Sequence, residues 1–118
     1  MLARLTGVNI NSAGSDNAVD IPFAKYIVRR VIFCNPSANL SLSPATVGVF
    51  TAAGGGGTAI SAAAILTTLT GSTQYSDRTL AAAVLTTMFT AAQLFIRNVL
   101  AHGSAATIDI YIFGEVLP

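Results

Sequence analysis

Between Arg30 and Asp77 this chain carries no Lys, Arg, His, Asp or Glu, and only Cys34 and Tyr75 can ionise at all. A solvent-facing strand normally carries such charges, because they discourage pairing with another chain's edge. A stretch this long without them has to be covered, by the rest of the domain or by neighbouring molecules. The whole chain points the same way. Six basic and five acidic residues among 118 make a charged fraction of 9%, against roughly 25% in an ordinary soluble domain. A chain of this size exposes about 6,000 Å² when folded, and eleven charged side chains of about 100 Å² each cover about a fifth of that. The remainder is Ser, Thr, Asn, Gly, Ala and apolar surface, which in large patches marks interfaces. The expectation is a self-associating protein, a homo-oligomer.

Length allows one domain, spanning 1–118. Strand signals dominate it. Tyr26–Cys34 (YIVRRVIFC) is rich in β-branched and aromatic residues and ends at the turn signal Asn35-Pro36-Ser37. Strict alternation puts Ile27, Arg29, Val31 and Phe33 on one face and Tyr26, Val28, Arg30, Ile32 and Cys34 on the other. Arg29 and Arg30 then point apart and make no basic patch, so nucleic acid is not an expected partner. Ala45–Thr51 alternates Val47, Val49 and Thr51 with Thr46, Gly48 and Phe50, and runs into the low-complexity segment Ala52–Gly57. Near the end, Leu94–Leu100 and Ala106–Phe113 flank His102-Gly103-Ser104, a spacing that reads as a hairpin. Its second strand sets Ile108, Ile110 and Ile112 against Asp109, Tyr111 and Phe113. Short strands with Thr-rich faces and Gly/Pro turns predict a mainly β, antiparallel β-sandwich or jelly roll of about seven or eight strands. Residues 1–22 read as a first strand plus a loop, an N-terminal arm that reaches a neighbour.

The middle has two solutions. Ala62–Thr70 and Ala81–Thr90 are near copies. Leu80, Val84 and Met88 with Leu85, Phe89 and Ala92 would form a helical stripe, capped by Ser76 or Asp77. That leaves room for one short helix near residues 79–92. The Thr pairs and β-branched residues favour extended structure instead. The most apolar window, Thr79–Ile96, is diluted by Thr, Gln and Ala, so no membrane span is expected. The N-terminus has no apolar run long enough for a signal peptide. A single cysteine, Cys34, excludes an intrachain disulfide; it fits a reducing cytoplasm and equally a secreted protein without disulfides.

No chemistry-bearing constellation emerges. The run Gly54–Gly57 lacks the Lys that a phosphate loop requires, and reads as a flexible turn or a close subunit contact. His102, Ser104 and Asp109 are the residue types of a hydrolase triad, but Ser104 lacks a nucleophile-elbow sequence, and the first two read as a polar turn. One His and one Cys cannot make a zinc site. Asp16 and Asp20 lack calcium-loop spacing. Asp109, in mid-strand, needs a partner, and Arg97 in the preceding strand is the expected one. No enzyme activity, catalytic residue, metal or cofactor is expected.

The segments ATVGVFTAAGGGG at Ala45–Gly57 and ATIDIYIFG at Ala106–Gly114 resemble small all-β virion proteins of tailed bacteriophages and prophages, most of all capsid decoration or cement proteins. The similarity runs from Tyr26 to the C-terminus, while the first quarter departs from it. It implies a jelly-roll-like subunit that oligomerises, often as a trimer, and stabilises the phage head. The implied partner is the major capsid protein or another virion protein, and the implied location is the virion, assembled in the host cytoplasm. A neck, tail or baseplate component, including a sugar-binding tip, is the alternative class. A small membrane protein is the remaining one.

Overall fold

A computed structural model describes residues 1–118. Eight strands form, β1 (Ala3–Asn9), β2 (Ser15–Asp20), β3 (Tyr26–Cys34), β4 (Thr46–Phe50), β5 (Ala59–Ile65), β6 (Tyr75–Asp77), β7 (Gln93–Leu100) and β8 (Thr107–Val116). They make two antiparallel four-stranded sheets, ordered β1-β8-β3-β6 and β2-β7-β4-β5. The pairs β1·β8 and β3·β6 lie in the first sheet, and β2·β7 and β4·β5 in the second. This is one long hairpin rolled up so that its rungs alternate between two sheets, which is the jelly roll.

The inner faces follow the period-2 reading. Ile108, Ile110 and Ile112 of β8 and Val47 and Val49 of β4 are buried in one core, which Leu94 and Ile96 of β7, a strand whose faces the sequence left unassigned, also enter. In β3 a bulge changes the phase. Val28 pairs with Gly114 and Arg30 with Phe113, so Arg29 is the extra residue. Tyr26, Val28, Val31 and Phe33 therefore all face the core, and Arg29 and Arg30 are both exposed. This corrects the strict alternation, which had separated the two arginines.

Residues 1–22 give two strands, one to each sheet, and not one strand with a reaching arm. Leu2, Val8, Ile10, Val19 and Ile21 are buried in the core, so releasing this segment would expose five large side chains. The expected terminal hairpin is also corrected, because β7 and β8 belong to different sheets. Their connection arches over the core, where His102 N donates to Ile10 O (2.9 Å) and Gly103 N to Asn11 Oδ1 (2.8 Å).

The two near copies adopt different structures. Ala62–Ile65 completes β5, whereas Ala82–Thr86 is a 3-10 turn followed by a single bridge from Phe89 to Tyr26. The short helix expected near 79–92 forms over Ala82–Thr86, as a 3-10 helix and not as an α-helix. The hydroxyls of Thr86 and Thr87 both donate to Ala83 O (3.2 and 2.7 Å), occupying the carbonyl that an α-helix would use for Thr87 N. Such side-chain bonds compete with the helical ladder. Ser76 and Asp77 cap nothing and instead lie in β6. No helix is long and apolar enough to cross a membrane.

Candidate functional site

The two sheets present unlike outer faces. The first carries Arg4, Arg29, Arg30, Asp77, Asp109 and Glu115, six of the eleven charged residues. Arg30 pairs with Asp77 at 2.7 Å and Arg29 with Glu115 at 3.5 Å, both at exposed sites, where such pairs add little stability. Interleaved with them are Tyr111 and Phe113, stacked with ring centroids 6.5 Å apart, and exposed Tyr75.

The second sheet's outer face has only Asp16, Arg97 and Asp20. Arg97 Nη1 lies 3.1 Å from Asp16 Oδ2, with both side chains under a quarter exposed. Asp20 accepts from Gln93 Nε2 at 2.9 Å. Register places Leu100, Thr46 and Ile65 side by side across β7, β4 and β5, and Ala18, Phe95, Phe50 and Ala59 in a second row from β2 to β5. Leu100 and Ile65 are more than half exposed. β5 is an edge strand, and over Ser61–Ala64 it has no charge and makes no backbone bond beyond its ladder to β4. An edge of this kind is open to another chain.

The glycine run lies against this face. Gly54 N donates to the same Asp16 Oδ2 at 3.0 Å, and a side chain on Gly55 would touch the Arg97 methylenes. The run thus closes over an ion pair. Asp109 does not meet Arg97, because the two are in different sheets. It accepts from Gly7 N (2.9 Å) and Asn35 Nδ2 (2.9 Å). Gly7, at φ 66°, sits where β1 bulges between Leu5 and Val8, a conformation glycine adopts freely. The mid-strand carboxylate therefore holds the bulge's spare N–H and the turn after β3.

His102, Ser104 and Asp109 are not brought together. His102 Nδ1 instead lies 2.7 Å from Ser43 Oγ, a contact that no local sequence signal announces. Ser43 is buried, its Oγ accepts from Ala45 N at 3.1 Å, and the only cleft lies elsewhere. The pair locks the β3–β4 loop to the β7–β8 arch. No three His, Cys, Asp or Glu side chains converge as metal ligands.

The cleft, of about 390 Å³, runs along the open side of the sandwich between β5 and the segment Asp77–Ala81. Its apolar wall is Ala62, Ala64, Ile65, Leu80 and Ala81. Arg78 ties its two sides, with Nη1 donating to Ile65 O (3.1 Å) and Ser76 Oγ (2.9 Å) and Cζ 5.0 Å from the Phe33 ring centre. This guanidinium has no carboxylate partner, its Nε bonds nothing, and burial pushes its pKa down. No family model, no curated protein and no solved structure matches the chain.

Proposed function

We propose that this protein is a structural subunit of a virus particle, a decoration protein that oligomerises, attaches to the shell and stabilises the phage head. The observation that carries the reading is the contrast between the faces, one set with six charged residues and the other with only Asp16, Asp20 and Arg97 beside exposed Leu100 and Ile65. A surface of the second kind is suited to burial against another subunit. The resemblance of Ala45–Gly57 and Ala106–Gly114 to decoration proteins supports the choice of particle. The jelly-roll winding agrees with it, since viral capsid domains use that architecture, but so do lectins and cupins.

A ligand that binds only the assembled shell stabilises it by mass action. Particles carrying the protein should therefore survive heating that ruptures particles without it. Because the proposed contact is apolar and hydroxyl-rich, attachment should persist between about 0.1 and 1 M salt, where the screening length falls from roughly 10 to 3 Å. Equal heat resistance of the two particle types would refute the reading. A sugar-binding virion component is the second reading, favoured by Tyr75, Tyr111 and Phe113 on the charged face. It requires glycan-array binding that Tyr111→Ala abolishes.

A further inference from the structure

We propose that Leu42 of one copy inserts into the cleft of another, between its β5 and its Asp77–Ala81 segment, and that this contact joins the subunits. The inference rests on the assembly reading above and names its junction. Leu42 is 95% exposed, the most exposed large apolar side chain in the protein. It does not sit on a loose loop. On one side, Leu40 is fully buried and its N–H bonds Leu69 O at 2.9 Å. On the other, Ser43 is held by His102 and by Ala45 N. Ser41 N bonds Asn39 Oδ1 at 2.9 Å, and Ser43 N bonds Leu40 O at 3.1 Å. The turn is ordered before any partner arrives, which removes much of the entropy cost of docking.

The cleft matches this turn in two respects. Ala62, Ala64, Ile65, Leu80 and Ala81 give it an aliphatic wall beside Ser61, Asp77, Arg78 and Thr79, and about 390 Å³ accommodates a leucine side chain with its flanking turn. Arg78 lines it, bonds through Nη1 alone and has no acid partner; its Nε is buried, which leaves Nη2 as the donor that an incoming group can reach. The carbonyls of Ser41 and Leu42 accept no bond within the chain. A guanidinium with donors to spare therefore faces a need that the turn's free acceptors can meet. A second copy of the chain supplies the apolar knob and the uncharged acceptors together.

The test uses two full-length variants and sedimentation velocity at micromolar concentration. Leu42→Ser removes the knob and keeps the cleft; Ala64→Phe fills the cleft and keeps the knob. Each should weaken self-association about 10- to 100-fold, the loss expected from one buried leucine. Neither should change the circular dichroism spectrum, since both sites are exposed. Mixed together, the two variants should form a 1:1 pair, because one intact knob then meets one intact cleft. A mixture that stays monomeric, or a Leu42→Ser variant that associates like wild type, overturns the junction. If Leu42→Ser keeps self-association but loses attachment to particles, the knob belongs to a shell contact and the proposal also falls. A wild-type protein that is monomeric at these concentrations removes the assembly reading itself.

Discussion

Replacing Ile110 by Ala probes the centre of the first sheet. Ile110 is fully buried on β8, with Leu5 of β1 opposite it on one side and Phe33 of β3 on the other. Truncating a buried isoleucine costs about 2–5 kcal/mol, and the cost rises when the surroundings cannot collapse into the space. Here β8 is held by a ladder on both flanks, so the backbone has little freedom to move inward. That places the expected loss in the upper part, about 3–5 kcal/mol, out of a total stability of roughly 5–15 kcal/mol. With an unfolding entropy of about 2.1 cal/mol/K per residue, each kcal/mol lowers Tm by about 4 °C in a chain of 118 residues. Ile110→Ala should therefore melt roughly 12–20 °C lower. Val116→Ala is the control, on the same strand but half exposed, and should cost under about 1 kcal/mol. Thermal and urea unfolding followed by circular dichroism, at equal protein concentrations, compares the two. A drop below about 4 °C for Ile110→Ala, or equal drops for both variants, would show that this core is not packed as described.

Three further outcomes follow from particular contacts. A side chain on Gly114 would overlap the Ile27 carbonyl across the β3–β8 ladder, so Gly114→Ala should lose about 3 kcal/mol or more, read as a lowered urea midpoint. Burial raises the Tyr26 pKa above its ordinary 10.0, and its hydroxyl donates to Ala91 O at 2.7 Å. A raised acid contributes stability that is complete below pH 10 and lost as pH climbs through the folded value. Tyr26→Phe should thus flatten the alkaline limb of the stability–pH curve and cost about 1 kcal/mol at neutral pH. A stability–pH curve that the substitution leaves unchanged above pH 10 would contradict this. Finally, a double-mutant cycle on Asp16 and Arg97 should give a coupling of about 0.5–1 kcal/mol. A cycle on Asp109 and Arg97 should be additive within about 0.5 kcal/mol, and a larger coupling would put β7 and β8 back in one sheet.

Much of the fold is legible because strand signals are local. The alternation of Ile108, Ile110 and Ile112 with Asp109, Tyr111 and Phe113 can be read without knowing any partner strand, and so can the Ala45–Thr51 strand through Val47 and Val49. The Arg29–Arg30 phase is not legible, since a bulge is a property of two strands and only the pairing with Gly114 and Phe113 places it. The same limit applies to the candidate site. Scarcity of charge is a count and appears in composition, whereas its partition between two faces depends on which strands share a sheet.

The sequence alone therefore determined that this chain would be mainly β, that Ile108, Ile110 and Ile112 would share one face of their strand and Val47 and Val49 one face of theirs, and that its exterior would be poor in charge. Those properties follow from side-chain period and residue type within a few positions. Only the tertiary structure decided that Leu94–Leu100 and Ala106–Phe113 part into separate sheets, that Asp109 serves a glycine bulge while Arg97 serves Asp16, and that Ser43 meets His102. The two C-terminal strands each have one apolar face, and a hairpin and an arch over the core bury those faces equally well. In the folded chain β8 lies between β1 and β3 and β7 between β2 and β4, and a local pattern contains no record of which strands take those places.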